Sequence, residues 1–277
     1  MIVLLSPAKS LDYDSRLPTR KATQPRLLDR AETLIGVMRQ KSPEEVADLM
    51  GISEELATLN VQRYRDFTRP FDRRNARPAV LAFAGDVYQG MAVRERFDER
   101  DYTHAQKVIR ILSGLYGVLR PLDLMQPYRL EMGVTLATSL GRTLYDFWGE
   151  EVTELVNADL AESPGADVVV NLASQEYFKS VRPEKLAGRL VSPRFLDGDQ
   201  HGEYRTVSFF AKRARGEMAA WVVRNRVRSA RALTGFDGGG YRYDAAASSA
   251  GSPTFVRDRV STARAAEYDV ASLRSLS

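Results

Sequence analysis

Cysteine is absent from this chain. That excludes a disulfide framework, peroxide chemistry on a thiol, and iron–sulfur ligation by the protein's own thiolates. Histidine is scarce: His104 and His201 are the two it has, so the common His-rich metal sites are not expected, no metal or cofactor is implied, and only a carboxylate site stays open. No apolar run approaches the roughly 18 residues of a membrane span. The amino terminus carries no signal-peptide pattern, so the expectation is a cytoplasmic protein without a membrane partner. A large surplus of charge is also missing: 40 Lys plus Arg face 36 Asp plus Glu, a net +4. Any affinity for nucleic acid must therefore come from clustered cations. P-loop, Ser-His-acid and HExxH patterns are lacking, so no specific reaction is indicated.

What is present suffices for one body. At 277 residues the chain can bury most of its unfolded surface in a single compact domain. Ile2–Leu5, 79–84 and 167–172 are short apolar runs that predict buried strands. Pro25 opens a helix, Ser42-Pro43-Glu44-Glu45 is a capping signature, and Ser53 caps the next helix. Together these predict a helical segment over about 26–67. Leu144–Leu160 reads as one amphipathic helix, and 190–196 with 204–211 as a hairpin, followed by a helix to about Ala232. On that helix Arg224, Arg228 and Arg231 would share a face, suited to a helix carboxyl end or to a nucleic-acid backbone. Between Arg63 and Arg77 six arginines interleave with Tyr64, Phe67 and Phe71, either a phosphate-and-base surface or a solvated loop over buried rings. Gly238–Gly240 and the Ala/Ser-rich 245–252 are low in complexity, so 1–243 is expected as the domain and 244–277 as a flexible basic tail.

The chain is organised around Asp101–Met132. Thr103 and Gln106 have capping-box spacing, Val108, Ile111, Leu112 and Leu115 recur at helical spacing, and Gly114 and Gly117 bracket a turn. Beyond Pro121, Asp123, Gln126, Tyr128, Arg129 and Glu131 stand among apolar residues, where polar groups need partners within the fold or on a ligand. SGLYGVLRPLD and QPYRLEMG in this stretch resemble the signature of the YaaA family of bacterial peroxide stress proteins. LLSPAKSLDY, FAGDVYQGM, NLASQEYFKSV and FFAKRARGEM resemble the family's other blocks, in the same order. The resemblance covers about residues 1–243. It implies a cytoplasmic protein that protects against peroxide, is linked to lowered free iron, and binds double-stranded or structured DNA through a basic cleft. It also implies a family-specific fold with a helix-hairpin-helix-like element, although Leu115 and Tyr116 separate the glycines where such a turn usually has one residue.

The residues themselves predict a mixed α/β (α+β) fold, a central mixed sheet surrounded by helices. Lys9, Asp86, the 171–179 segment and 212–215 all fall at predicted strand ends, where pockets form in sheets with helical connections. A shared cleft would hold Lys9, Lys179, Lys212, Arg215 and Arg129, balanced by Asp86, Glu131 and Glu176, and would attract phosphates. Gly114, Gly117, Arg120 and Arg213 complete the candidate phosphate-binding set. If the cleft is instead catalytic, acting on a nucleotide or other phosphorylated small molecule, Lys9 or Lys212 would be nucleophile or charge stabiliser and Glu131 or Glu176 the base. The alternative reading is a set of internal salt bridges bracing the sheet.

Overall fold

The unbroken apolar run Ile2–Leu5 becomes strand β1, with all four residues fully buried, as a strand covered on both faces requires. The structure, a computed structural model, describes residues 1–258. Three helices follow within two residues of the expected bounds: α1, Leu28–Met38; α2, Pro43–Met50; and α3, Glu54–Asp66. Ser42 and Glu45 close a capping box on α2, and Ser53 accepts the Leu56 N–H to cap α3. The arginine-rich stretch after α3 has buried rings, Phe67 lying edge-on to Phe71 at 5.3 Å. Its arginines tie down neighbouring chain: Arg69 pairs with Asp29 and Glu32, Arg73 donates to Thr19 O, and Arg77 to Ser15 O.

Next come β2, Arg77–Pro78; α4, Ala79–Ala82; α5, Asp86–Met91; α6, Val93–Arg96; and α7, Glu99–Val108. The strand expected at 79–84 is thus a helical turn. Ala79 and Val80 donate to Asp123 O and Pro121 O at 2.9 and 3.0 Å, which ties the segment to a loop instead of a ladder; a short apolar run cannot distinguish the two. Asp98 and Asp101, not Thr103 and Gln106, form the capping box of α7.

The central stretch departs most from the expectation. The helical reading of Val108–Leu115 ends at Ile109, because Ile109–Ser113 is strand β3, paired in parallel with β1, and Gly117–Leu119 is the antiparallel β4. Gly114 and Gly117 therefore bracket a turn between two strands, and no helix-hairpin-helix-like element lies there. A strand buried on both faces is apolar at most of its positions, here Ile109, Ile111 and Leu112, so a subset of its residues can fall at helical spacing.

After β5, Leu124–Met125, the expected 144–160 helix breaks at Gly149 into α8, Leu144–Trp148, and α9, Glu151–Glu162. Strand β6, Val168–Asn171, helix α10, Gln175–Phe178, and strand β7, Arg189–Val191, complete the central sheet. Its order is β4-β3-β1-β6-β7, with β4 alone antiparallel. The chain turns from one side of β1 to the other between β3 and β6, and such a switch opens a crevice beyond the carboxyl ends of the strands.

A second sheet has the order β10-β11-β8-β9, from β8, Arg194–Gly198; β9, Tyr204–Arg205; β10, Arg242–Ser249; and β11, Ser252–Arg257. Between β9 and β10 runs helix α11, Ser208–Arg224. The expected hairpin survives as β8 with β9, but its second strand stops at Arg205. Lys212, Arg213 and Arg215 consequently sit on α11 and not at a strand end. Because α11 stops at Arg224, the stripe Arg224, Arg228, Arg231 is not a helix face. The described part of the expected flexible tail is ordered sheet: Phe255 stacks on Phe195 at 5.6 Å, and Arg257 pairs with the buried Asp197. Residues 259–277 of that expected tail lie outside the described residues.

Helices α5 and α11 cross without side chains between them. A Cβ on Gly216 would stand 1.8 Å from Val87 O, and one on Gly90 would stand 2.2 Å from Arg213 O. Gly216→Ala is expected to force the helices apart and cost about 1–3 kcal/mol, more than the gain in helix propensity returns. Urea unfolding measures this, and an unchanged or raised midpoint would contradict it.

Candidate functional site

Beyond the ends of β1 and β6 lies a cavity of about 400 Å³. Segment 6–10 leaves β1 into it, Leu172–Tyr177 arrives from β6 and α10, Tyr128–Glu131 comes from the loop after β5, and Asp86 and Lys212 face it from α5 and α11. The α5–α11 glycine contact is what brings these last two elements close enough to share one wall. Lys9, Asp86, Arg129, Glu131, Glu176, Lys212 and Arg215 therefore meet in one place although they come from five separate stretches of chain.

The acids and bases are unevenly matched. Glu131 Oε1 takes both Arg129, at 3.0 Å, and Lys9 Nζ, at 3.4 Å, while Glu131 Oε2 is buried with no hydrogen-bond partner. Lys212 Nζ stands 3.7 Å from Asp86 Oδ2, and Glu176 Oε1 accepts the Gly133 N–H at 3.0 Å. Arg215 differs from the other cations: it is mostly buried, and among the described residues no acid offsets it, so burial alone holds its guanidinium below its ordinary value. Lys9 and Lys212 keep 68% and 52% of their side chains exposed, so they stand at the mouth. The inner wall includes Tyr128 and Tyr177, 5% and 8% exposed. Burial pushes both phenols well above their usual value, which keeps them neutral donors at any physiological pH. The Tyr128 hydroxyl is held by Ser113 Oγ at 2.6 Å.

The remaining candidates do not line this cavity. Lys179 is exposed at the end of α10. Arg120 is locked to the fully buried Asp123, which also accepts from Thr23 at 2.6 Å. Arg213 points to the other face of α11, its guanidinium 5.9 Å from the Phe209 ring. Gly114 and Gly117 serve packing: a Cβ would meet Leu130 O at 2.2 Å and Trp148 Cζ3 at 2.8 Å, respectively. The polar run after Pro121 thus divides, Asp123 and Gln126 finding partners inside the fold and Tyr128, Arg129 and Glu131 reaching the cavity. Sequence reasoning missed Ser6, whose hydroxyl accepts the Ser174 N–H at 2.8 Å and so ties the ends of β1 and β6 together. The serine of SPAK, placed directly after a buried strand, was the available signal. Among the described residues no group of three or more His, Asp or Glu side chains is placed to hold a metal ion, and no helix is long and apolar enough to cross a membrane.

Fold and site together define a mixed α/β protein with a cation-mouthed, ligand-sized cavity at the switch point of its central sheet. The chain matches the family described as peroxide stress protein YaaA over residues 1–247, and it belongs to that family. It is 51% identical over 257 residues to a UPF0246 protein of Alcanivorax borkumensis, covering 93% of this chain and 98% of the relative. It is 49% identical over 258 residues to a UPF0246 protein of Cellvibrio japonicus, covering 93% and 99%. Membership places its general role in the response to peroxide stress.

Proposed function

We propose that this protein serves the peroxide response by holding DNA over the cleft through the phosphodiester backbone, without reading sequence, so that damage linked to free iron falls less on the DNA. The observation that carries the reading is Arg215, a mostly buried cation with no acid offsetting it among the described residues, beside two exposed lysines at the mouth of the same cavity. An uncompensated guanidinium in a cleft is stabilised by a bound anion. With a net charge of only +4, attraction to phosphate rests on such local placement.

A salt series on duplexes of unrelated sequence tests this. If Lys9, Arg129, Lys212 and Arg215 each neutralise a phosphate, log K falls with log salt at a slope of about −3 to −4, roughly 100-fold between about 50 and 200 mM. A flat dependence, or no binding at low salt, would remove the reading. A second reading, an enzyme acting on a nucleotide or other phosphorylated small molecule, is favoured by the Glu131 carboxylate in the cavity lining, with one oxygen that no hydrogen bond engages, a group of the kind that takes a proton from a bound substrate.

A further inference from the structure

A duplex can lie across the mouth of a 400 Å³ cavity but cannot enter it. The volume is at the small end of the range for ligand pockets, about 300–1,000 Å³. Its lining also changes character with depth. At the mouth Lys9 and Lys212 are solvated point charges, and Arg215 supplies a fork of donors without a carboxylate to fill it. Deeper, Tyr128, Leu130, Leu172 and Tyr177 give an aromatic and apolar wall with two neutral hydroxyls. Against that wall Glu131 holds one buried oxygen with no donor. A ligand that satisfies all three features has a phosphate at one end, a flat body with apolar faces, and an N–H donor on the edge of that body. Inorganic phosphate has the first feature only, and a sugar phosphate lacks the flat body.

We infer that the cavity seats a single nucleoside monophosphate unit: phosphate on Arg215 and the lysines, base against Tyr128 and Tyr177, and a base N–H donated to the Glu131 carboxylate. The inference deepens the DNA reading, on which it rests only for one of two sources of the ligand. The unit is either free in solution or an unpaired nucleotide turned out of a strand, which is cheapest where pairing is already lost. Arg215 then has opposite effects on stability and binding. In the empty protein it is a half-buried charge that no acid among the described residues offsets, so its removal relieves the fold, and in the complex it is the main anion contact.

Calorimetric titration of the full chain with each of the four deoxynucleoside 5′-monophosphates, deoxyribose 5-phosphate and inorganic phosphate reads the proposal directly. At least one nucleotide is expected to bind tenfold or more tightly than inorganic phosphate. Arg215→Met is expected to remove that binding while raising Tm, and Ser10→Trp, a bulky group at the exposed rim, to block it with charge unchanged. A duplex carrying 2-aminopurine at a bulge separates the sources. A fluorescence rise that the free nucleotide competes away assigns the pocket to strand-borne units, and nucleotide binding without that rise assigns it to the free nucleotide. Salt-dependent duplex binding with no nucleotide preferred over phosphate overturns this inference and leaves the DNA reading standing. Nucleotide binding without duplex binding does the reverse. Nucleotide affinity unchanged in both Arg215→Met and Ser10→Trp overturns the placement.

Discussion

Asp159→Ala is expected to lower stability by about 3–5 kcal/mol, the range for breaking a buried ion network from one side. Asp159, on α9, is 6% exposed and accepts both terminal nitrogens of Arg26, each at 2.7 Å, together with Arg110 Nε at 2.5 Å. Arg110 is 3% exposed on β3, the central-sheet strand beside β1. One carboxylate thus pairs with two guanidinium groups and joins α9, β3 and the segment leading into α1. Removing it leaves Arg110 as a charge in the core with only the carbonyls of Gln106 and Ile109 as acceptors. Asp159→Asn keeps the shape and one acceptor, so its loss should be intermediate. The pH dependence has a definite sign. Burial pushes the Asp159 carboxyl up, but hydrogen bonds and charge from Arg110 and Arg26 outweigh it and hold the group below its ordinary value. A carboxyl whose folded value is depressed contributes its full stability above the unfolded value, about 3.9, and loses it as pH falls through the folded value. The gap between wild type and Asp159→Ala in urea unfolding should therefore be widest near neutrality and narrow below about pH 4. A loss under about 1 kcal/mol at neutral pH would place the network among contacts that do not matter.

What could be read beforehand followed from the physics of each signal. Capping is local chemistry, so Ser42 and Ser53 located α2 and α3 within a residue or so. Periodicity needs one exposed face to be informative, and Ile109–Ser113 has none; the same blindness made a strand of Ala79–Ala82, while Ser208–Ala211, the first turn of α11, was too short a run to be told from the end of a strand. The convergence of Lys9, Glu131, Glu176, Lys212 and Arg215 was legible, although part of the reason given for it was wrong. Lys9 and the 171–177 segment do follow parallel strands, whereas Lys212 and Arg215 are delivered by a helix pressed against α5. That contact depends on two glycines, and a glycine in a sequence does not reveal what its missing Cβ would have struck. Lys179 fell out because it is the exposed residue that ends α10, past the part of the turn that reaches the cavity.

Reversing two charges together, Lys212→Glu with Arg215→Glu, is expected to weaken duplex binding at least about 100-fold at low salt, about 2.8 kcal/mol at 1.4 kcal/mol per tenfold. Both side chains reach the cavity from α11 three residues apart, so one phosphate approaching the mouth meets both. Losing two phosphate contacts should flatten the salt slope by about two, and the new carboxylates beside Asp86 add repulsion that neutral replacements would not. The loss should be equal for every duplex, because contacts to phosphate position the backbone and carry no sequence information. Lys212 is 52% exposed and its 3.7 Å approach to Asp86 is a loose pair, so the fold does not depend on it. A glutamate at 215 is less easily tolerated in a mostly buried position, and Lys212→Glu with Arg215→Gln provides the version whose melting curve can be matched to wild type. Competition between unrelated duplexes, read by fluorescence anisotropy, decides the matter. A selective loss for one sequence would mean the cleft reads bases, and unchanged affinity would mean that DNA, if it binds, binds elsewhere.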